Sequence, residues 1–173
     1  MLMLPPAFNS ETGAPSALLS AYASQVRVRV GGLLLRDGAL LLAAHRGLLP
    51  DAALFWSPPG GGWQFGESIG AALVREFQEE TGLAVQPGRF LHLHEFHSGP
   101  LQALELFFEV VAAPDAEPRL GHDPEHAPGE QLLIGLHWLT PAAWRALPAA
   151  QVHPVVRAAA TTADLLTARA GLG

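Results

Sequence analysis

The chain has 173 residues, a formal net charge of −6 at pH 7 and no cysteine. Its 49 % hydrophobic content exceeds its 15 % charged content by enough to predict one globular domain with a real core, which excludes a disordered chain. The negative charge argues against non-specific binding to nucleic acid, and the lack of cysteine excludes a disulfide framework and fits a cytoplasmic enzyme. We find neither a basic N-terminal region nor an apolar run of membrane-spanning length, so we expect no signal peptide and no membrane segment.

Residues 1–22 are predicted to form an N-terminal arm, and residues 23–173 the domain itself. The arm is rich in Pro, Ser and Ala and is interrupted by Pro5, Pro6 and Pro15. This composition predicts either disorder or packing against the body of the protein or a partner subunit. Because the apolar arm has little of its own to bury, we expect it to pack across a homodimer.

A β-hairpin is expected directly after the arm. Polar residues alternate with valine over 25–30, which is the period of a half-buried strand, and the apolar run 31–35 continues it. Asp37-Gly38 is a hairpin turn signal, and 39–44 then return as a buried strand.

A proline- and glycine-rich run follows a loop over 45–54 and a short strand at Phe55-Trp56. The run Pro58-Pro59-Gly60-Gly61-Gly62 cannot be helical, because proline fixes its own φ while glycine opens positive φ, and it predicts a turn. A helix over 69–81 is predicted next, with Ser68 as its N-cap and Gly82 as a left-handed C-cap.

Three glutamates crowd one side of this predicted helix. Glu76, Glu79 and Glu80 fall within an arc of roughly 100°, and like charges one turn apart repel each other. Arg75 offsets only part of this repulsion. Such crowding favours a bound counter-ion, and carboxylate oxygens suit Mg²⁺ or Mn²⁺. The alternative is a solvated acidic helix face.

The second half of the chain predicts more strands and two helices. Strands are expected over 90–96, 104–112 and 132–139, a connector over 85–88, a long surface loop over 114–131, and helices over 142–147 and 154–170, the last with proline at its first turn. Strands that alternate with helices and hairpins predict an α/β fold, a mixed β-sheet between helices in an α/β/α sandwich.

The segment from Gly61 to Leu83 resembles the signature of a known family. Gly61, five residues, Glu67, seven residues and then REFQEETGL are similar to the Nudix box, G-x5-E-x7-R-E-U-x-E-E-x-G-U, where U is bulky and aliphatic. All its fixed positions match, and Phe77 is a mild departure at an apolar position. The resemblance implies a Nudix (MutT-like) hydrolase with the same sandwich fold and a divalent metal.

The same resemblance implies roles for the charged residues of the box. Glu79 and Glu80 are then metal ligands, and Glu76 is a ligand or the neighbour that orients one. Glu67 contributes through the loop or to the metal. Arg75 holds a glutamate in place by a bidentate pair.

Candidates for binding substrate lie in and around the glycine run. Gly61 and Gly62 let backbone approach the phosphates closely, or they serve only the turn. Arg27 and Arg29 on the first strand either meet a phosphate or are solvated strand charges. Arg46, which follows a buried strand, is a further candidate for a phosphate contact.

Several other side chains leave alternatives open. His92, His94 and His97 suggest a zinc site, but no cysteine assists and their spacing is unusual for ligands, so packing or loop roles are favoured. Glu105 faces either the site or the far side of the sheet. Aromatic side chains that either stack a base or pack at the lip of the site are Trp56, Trp63 and Phe65.

The box alone does not settle which group accepts the proton of the attacking water. In some relatives of this family a glutamate in the loop before the last strand supplements the box, and Glu125 and Glu130 stand in that place. We favour Glu125, because Glu130 adjoins the strand and is more constrained. If neither serves, the base lies in the box itself, at Glu76.

Two function classes follow from the resemblance. The first is hydrolysis of a nucleoside diphosphate linked to another moiety X, with ADP-ribose or a nucleotide sugar as first candidate and a nucleoside triphosphate as second. The other is non-hydrolytic, an isopentenyl diphosphate isomerase or a nucleotide sensor. The isomerases use a cysteine that this chain lacks, and sensors carry a DNA-binding domain for which 173 residues leave no room. We therefore favour the hydrolase.

Overall fold

A computed structural model describes residues 25–48, 53–98, 101–121 and 131–171 of the chain. The predicted arm over 1–22 lies outside the described residues, as do Glu125 and Glu130. Among the described residues, no helix is long and apolar enough to cross a membrane.

One mixed sheet contains all the strands of the described residues. The strands are β1 (Val26–Arg36), β2 (Ala39–His45), β3 (Phe55–Ser57), β4 (Gly60–Gly62), β5 (Val85–Ser98), β6 (Leu101–Ala112), β7 (Leu133–Leu139) and β8 (Arg169–Gly171). Their main path runs β3-β2-β1-β6-β5-β8, while β4 also pairs with β1 and β7 with β2. The β1–β6 and β5–β8 pairs are parallel, and the remaining pairs are antiparallel.

Helices cover both faces of the sheet. They are α1 (Ile69–Thr81), α2 (Pro141–Ala146), α3 (Pro154–Arg157) and α4 (Thr162–Leu165), with a 3-10 turn at Ala149–Gln151 between α2 and α3. Neighbouring side chains on β1 point to opposite faces. Leu34 packs in a core with Phe77 of α1, whereas Leu33 packs in a separate core with Trp144 of α2 and Leu165 of α4. The predicted α/β/α sandwich is therefore confirmed.

The hairpin turn and the central helix form as expected. Asp37 and Gly38 both have positive φ, 49° and 76°, as a tight turn between β1 and β2 requires. The side chain of Ser68 caps α1, and Gly82 ends it at φ 66°. Both caps are those that the sequence predicts.

Three expectations about local structure are wrong. The glycine run predicted as a turn forms β4 at Gly60–Gly62, because its backbone pairs with β1. The predicted connector over 85–88 is the start of β5. The long helix predicted over 154–170 is instead α3, α4 and β8. Thr161 and Asp164 form a capping box, and these local hydrogen bonds start a new helix and compete with a continuous one.

Candidate active site

The helix α1 is held against the sheet by an apolar face. Ala72, Leu73 and Phe77 are all fully buried beneath the sheet. A Cβ on Gly32 of β1 would collide with the Phe77 ring, so glycine at this position lets the ring pack directly on the strand. This packing fixes the rotation of α1 and thus directs its acidic residues toward the glycine strand β4.

Arg75 joins the acidic residues of the loop and of α1. Its Nε and Nη2 donate to Glu67 Oε2 and Oε1 at 3.2 and 2.9 Å, which is a bidentate pair. Its Nη1 donates to Glu76 Oε1 at 2.8 Å and to Glu79 Oε2 at 3.2 Å. Nη2 also donates to the Gly62 carbonyl at 3.0 Å. The hydrogen bonds to Glu67, which contribute most, and to Glu76 raise the pKa of Arg75. One permanent positive charge is therefore shared by three carboxylates.

Glu76 lies in a recess that exists because residue 61 has no side chain. A Cβ on Gly61 would lie within 2.5 Å of the Glu76 carboxylate. Burial raises the pKa of Glu76, and the hydrogen bond from Arg75 opposes that rise. The carboxylate is therefore desolvated, oriented and only partly neutralised.

Glu80 is held from the glycine strand. Its Oε2 accepts a hydrogen bond from the Gly60 N–H at 2.9 Å, and the residue is buried. Gly60 has φ 149°, and a Cβ there would collide with the Val30 carbonyl oxygen of β1, so only glycine fits.

The chain returns to the C-terminal end of α1 after β6. Arg119 N–H donates to the Thr81 carbonyl at 2.8 Å, and Gly121 N–H donates to the Glu80 carbonyl at 2.9 Å. These bonds satisfy carbonyls that a helix end leaves without intrahelical partners. A Cβ on Gly121 would collide with the Glu79 carbonyl oxygen, so the close approach requires glycine. The segment that carries Glu125 and Glu130 follows directly and lies outside the described residues.

The three candidate arginines lie in different surroundings. Arg29 of β1 donates from Nη2 to the Gly60 carbonyl at 3.2 Å. Arg27 is also beside the glycine strand, since a Cβ on Gly62 would lie 3.4 Å from its Nη2. Arg46 is exposed just beyond β2. The structure therefore brings Arg27 and Arg29, but not the side chain of Arg46, into contact with β4.

The predicted histidines separate into three environments. His92 is buried, and its Nε2 lies 2.6 Å from the Leu165 carbonyl, which agrees with the packing role. His97 is exposed near the end of β5. His94 Nδ1 donates to Glu105 Oε2 at 2.9 Å, and the same oxygen accepts from His153 Nε2 at 2.9 Å.

Glu105 therefore faces a recess on the side of the sheet opposite α1. The lining of this recess includes Arg29, Ser57, Gly60, Phe107 and His153. His153 is a residue of this cluster that the sequence did not predict. Nothing in the local sequence pairs His153 with Glu105, which lies 48 residues away. The one sequence signal for a structural role of His153 is its position directly before Pro154, where a helix N-cap is expected.

His94, Glu105 and His153 have the side-chain types of a zinc site, and their ligand atoms lie within 4.8 Å of one another. The hydrogen bonds argue against a metal there. His153 Nδ1 accepts from Val155 N–H at 3.3 Å as the N-cap of α3, so the ring proton is on Nε2 and points at Glu105. Metal-binding histidines instead donate from the nitrogen that does not hold the metal. We interpret the group as a buried hydrogen-bonded cluster.

The pKa values in this cluster shift in the directions that such hydrogen bonds require. Burial lowers the pKa of His153, against the influence of Glu105, so the ring is neutral. Burial alone would raise the pKa of Glu105, but hydrogen bonds from His153 and His94 outweigh it and hold that pKa well below its usual range. Glu105 is thus an ionised carboxylate inside the recess.

A family model described as the NUDIX domain matches residues 25–159. The chain belongs to the Nudix family. The CTP pyrophosphohydrolase of Escherichia coli (strain K12) is 32 % identical over 129 residues, which cover 65 % of this chain and 95 % of that protein. The family resemblance and the hydrolase class predicted from the box are therefore confirmed.

Solved structures of Nudix proteins share the fold. A MutT protein from Methanosarcina mazei Go1 superposes with a TM-score of 0.61 at 20 % identity, over 77 % of this chain and 88 % of that one. A Nudix hydrolase from Nitrosomonas europaea superposes with a TM-score of 0.62 at 22 % identity, over 76 % of this chain and 84 % of that one.

The Nudix box of this chain fits a divalent cation. Its oxygen donors are carboxylates, the ligands that Mg²⁺ and Mn²⁺ prefer. One guanidinium, that of Arg75, is shared by three of those carboxylates, and the missing Cβ of Gly61 leaves room at the buried Glu76. A cation would supply the positive charge that Arg75 supplies only in part.

Proposed function

We propose that this Nudix hydrolase cleaves the pyrophosphate linkage of a nucleotide with Mg²⁺ or Mn²⁺. In this proposal Glu76, Glu79 and Glu80 hold the metal, with Glu67 beside them. The observation that carries it is the convergence of these carboxylates on Arg75 and on the glycine strand, in a recess that one Cβ would fill.

A divalent cation held by Glu76, Glu79 and Glu80 would supply Lewis-acid chemistry, which would lower the pKa of an attacking water and stabilise the negative charge that develops on the phosphate. The chain's own residues prepare this site. Arg75 orients Glu67 and Glu76, which keeps their oxygens fixed before the cation arrives. The strand of Gly61 and Gly62 presents backbone without side chains, which allows phosphates to approach closely.

Two arginines are proposed to bind substrate phosphate. Arg27 is supported by its guanidinium, which lies near Gly62 on the glycine strand. The proposal for Arg46 rests on the position of this residue directly after β2, and its exposed side chain would have to reach the site. A solvated role remains the alternative for each.

The substrate class supported best is a nucleoside triphosphate, which would yield a nucleoside monophosphate and pyrophosphate. The support is the curated relative, whose own substrate is CTP. The other candidate is ADP-ribose or a nucleotide sugar, favoured in the sequence analysis, which would yield a monophosphate and phosphorylated X. Because the products differ, one assay separates the two classes.

The proposed general base is Glu125, with Glu130 as the second candidate. A base works best within hydrogen-bond reach of the water it deprotonates. The support is that the chain leaves the end of α1 at Gly121, four residues before Glu125. The proposed partner is a small nucleotide, and we expect a cytoplasmic location and no nucleic-acid ligand.

The test is a panel of nucleoside triphosphates, ADP-ribose and nucleotide sugars, assayed for monophosphate, phosphate and pyrophosphate release with Mg²⁺ and with Mn²⁺. We expect Glu80→Gln to abolish turnover and keep its fold, because an amide oxygen can still accept from the Gly60 N–H but carries no charge for a metal. Mg²⁺ should raise the melting temperature of the parent and not of this variant.

The matched control is Glu117→Gln, an exposed glutamate paired with Arg36 at 3.3 Å. This variant should keep the parent rate. A Glu80→Gln rate within tenfold of the parent would refute the assignment of the metal to Glu80.

A further inference from the structure

Gly60 is held at both ends by charged side chains. Its N–H donates to Glu80 Oε2 at 2.9 Å, and its carbonyl accepts from Arg29 Nη2 at 3.2 Å. Gly60 therefore links a proposed metal ligand on α1 to an arginine on β1.

The strand that contains Gly60 has no side chains of its own to pack. All three residues of β4 are glycine, which loses more backbone freedom on folding than any other residue and has no side chain to pack. Its pairing with β1 covers only three residue pairs. Arg75 donates to the Gly62 carbonyl at one end of this strand, and a side chain that binds the Gly60 carbonyl anchors the other end.

Arg29 is in turn held by the recess on the opposite side of the sheet. Its Nε lies 3.7 Å from Glu105 Oε1. The other oxygen of Glu105 accepts from both His94 and His153, so the carboxylate is fixed in orientation. Since Glu105 stays ionised, it holds Arg29 by charge as well as by position.

We propose that Arg29, anchored by Glu105, is a positioning residue that orients Gly60 and through it the carboxylate of Glu80. The proposal rests on the proposed function, in which Glu80 holds a divalent cation. The direction of the effect distinguishes positioning from simple electrostatics. The positive charge of Arg29 lies at the glycine strand beside the proposed cation site, so by charge alone its removal should tighten cation binding. If Arg29 positions Glu80, its removal should weaken binding.

The experiment measures Mn²⁺ binding by isothermal titration calorimetry on the full chain without nucleotide, so it does not depend on turnover. Arg29→Gln should raise the Kd for Mn²⁺ about tenfold, the lower end of the usual loss when the partner of a metal ligand is removed. Arg29→Lys should fall between the parent and Arg29→Gln, because an ammonium can reach the Gly60 carbonyl but cannot pair with Glu105 at the same time.

A surface ion pair offers the matched control. Arg89 Nε on β5 and Glu109 Oε2 on β6 lie 2.9 Å apart. Arg89→Gln is the same substitution of arginine by glutamine, but β5 is two strands away from β1, the strand that pairs with Gly60. This variant should bind Mn²⁺ as the parent does. If Arg29→Gln binds Mn²⁺ as tightly as the parent or more tightly, the positioning role is wrong. If circular dichroism shows that Arg29→Gln does not fold, Arg29→Lys is the test of the positioning role. Unchanged or tighter Mn²⁺ binding by Arg29→Lys would then refute that role.

The anchoring by Glu105 is tested by a double-mutant cycle. If Glu105 acts through Arg29, adding Glu105→Gln to Arg29→Gln should weaken Mn²⁺ binding no further. Fully additive losses would show that Glu105 acts separately and would overturn this step. A parent protein that binds no Mn²⁺ would instead overturn the proposed function, so the two failures are distinguishable.

Discussion

Replacing Gly61 by alanine perturbs the candidate site at a single methyl group. The new Cβ would lie 2.5 Å from Glu76 Oε1, whereas non-bonded heavy atoms are comfortable only beyond about 3.5 Å. The carboxylate would therefore have to move by about 1 Å. It has little freedom to do so, because it is buried and accepts a hydrogen bond from Arg75 Nη1 at 2.8 Å.

Both stability and activity should respond to this displacement. Overpacking of this kind costs about 1–3 kcal/mol of the free energy of unfolding. A displacement of about 1 Å in a catalytic arrangement costs on the order of a hundredfold in rate. The assays are thermal unfolding without metal and kcat at saturating Mg²⁺ on the best nucleotide of the panel.

The matched control is Gly70→Ala in the first turn of α1. The nearest atom to its new Cβ would be Pro87 Cγ at 3.8 Å, an ordinary contact. Alanine is the better helix former by roughly 0.5–1 kcal/mol, so this variant should be slightly more stable and fully active. If Gly61→Ala keeps the parent melting temperature and a rate within threefold, the recess around Glu76 is not needed and our reasoning about it fails.

Three further predictions concern other parts of the chain. Glu125→Gln should lower kcat at least a hundredfold with little change in KM, whereas the same loss in Glu130→Gln alone would move the role of the base to Glu130. Deleting residues 1–22 should reduce the mass measured by light scattering from that of a homodimer to that of a monomer, and an unchanged mass would contradict the role of the arm. Burial lowers the pKa of His153, so as pH drops below about 6.5 the unfolded chain binds a proton at this residue before the folded chain does. The free energy of unfolding should therefore fall over this pH range. His153→Asn should show a shallower fall between pH 7 and pH 5 in chemical denaturation, and an equal slope would contradict this assignment.

The features that could be predicted from sequence are those set by neighbours along the chain. Ser68 and Gly82 lie at the two ends of one helix, and the spacing of apolar residues between them is a local signal, so α1 was predicted with its observed bounds. The Asp37-Gly38 turn is local in the same sense. The resemblance implied that Arg75 holds a glutamate by a bidentate pair, and the structure shows that this glutamate is Glu67, eight residues away.

The features that could not be predicted depend on pairing between distant segments. Gly60 is part of a strand only because β1 lies beside it, and a run of three glycines has no strand propensity of its own. Glu105 meets His153 because α3 packs over the sheet, a contact between residues 48 apart in the sequence. The break between α3 and α4 does have a local signal in Thr161 and Asp164, but the continuous apolar pattern of 154–170 outweighed it.

The candidate site also divides its glutamates into two groups by how they are held. Glu67, Glu76 and Glu79 share the guanidinium of Arg75, so the position of that one side chain orients all three. Glu80 is instead held by a backbone N–H of Gly60, whose position depends on the sheet. Because a backbone donor cannot swing away as a side chain can, the orientation of Glu80 depends on β4 and not on Arg75. In the proposed function, the Gly60 N–H and the Arg75 guanidinium would therefore orient the ligand carboxylates together.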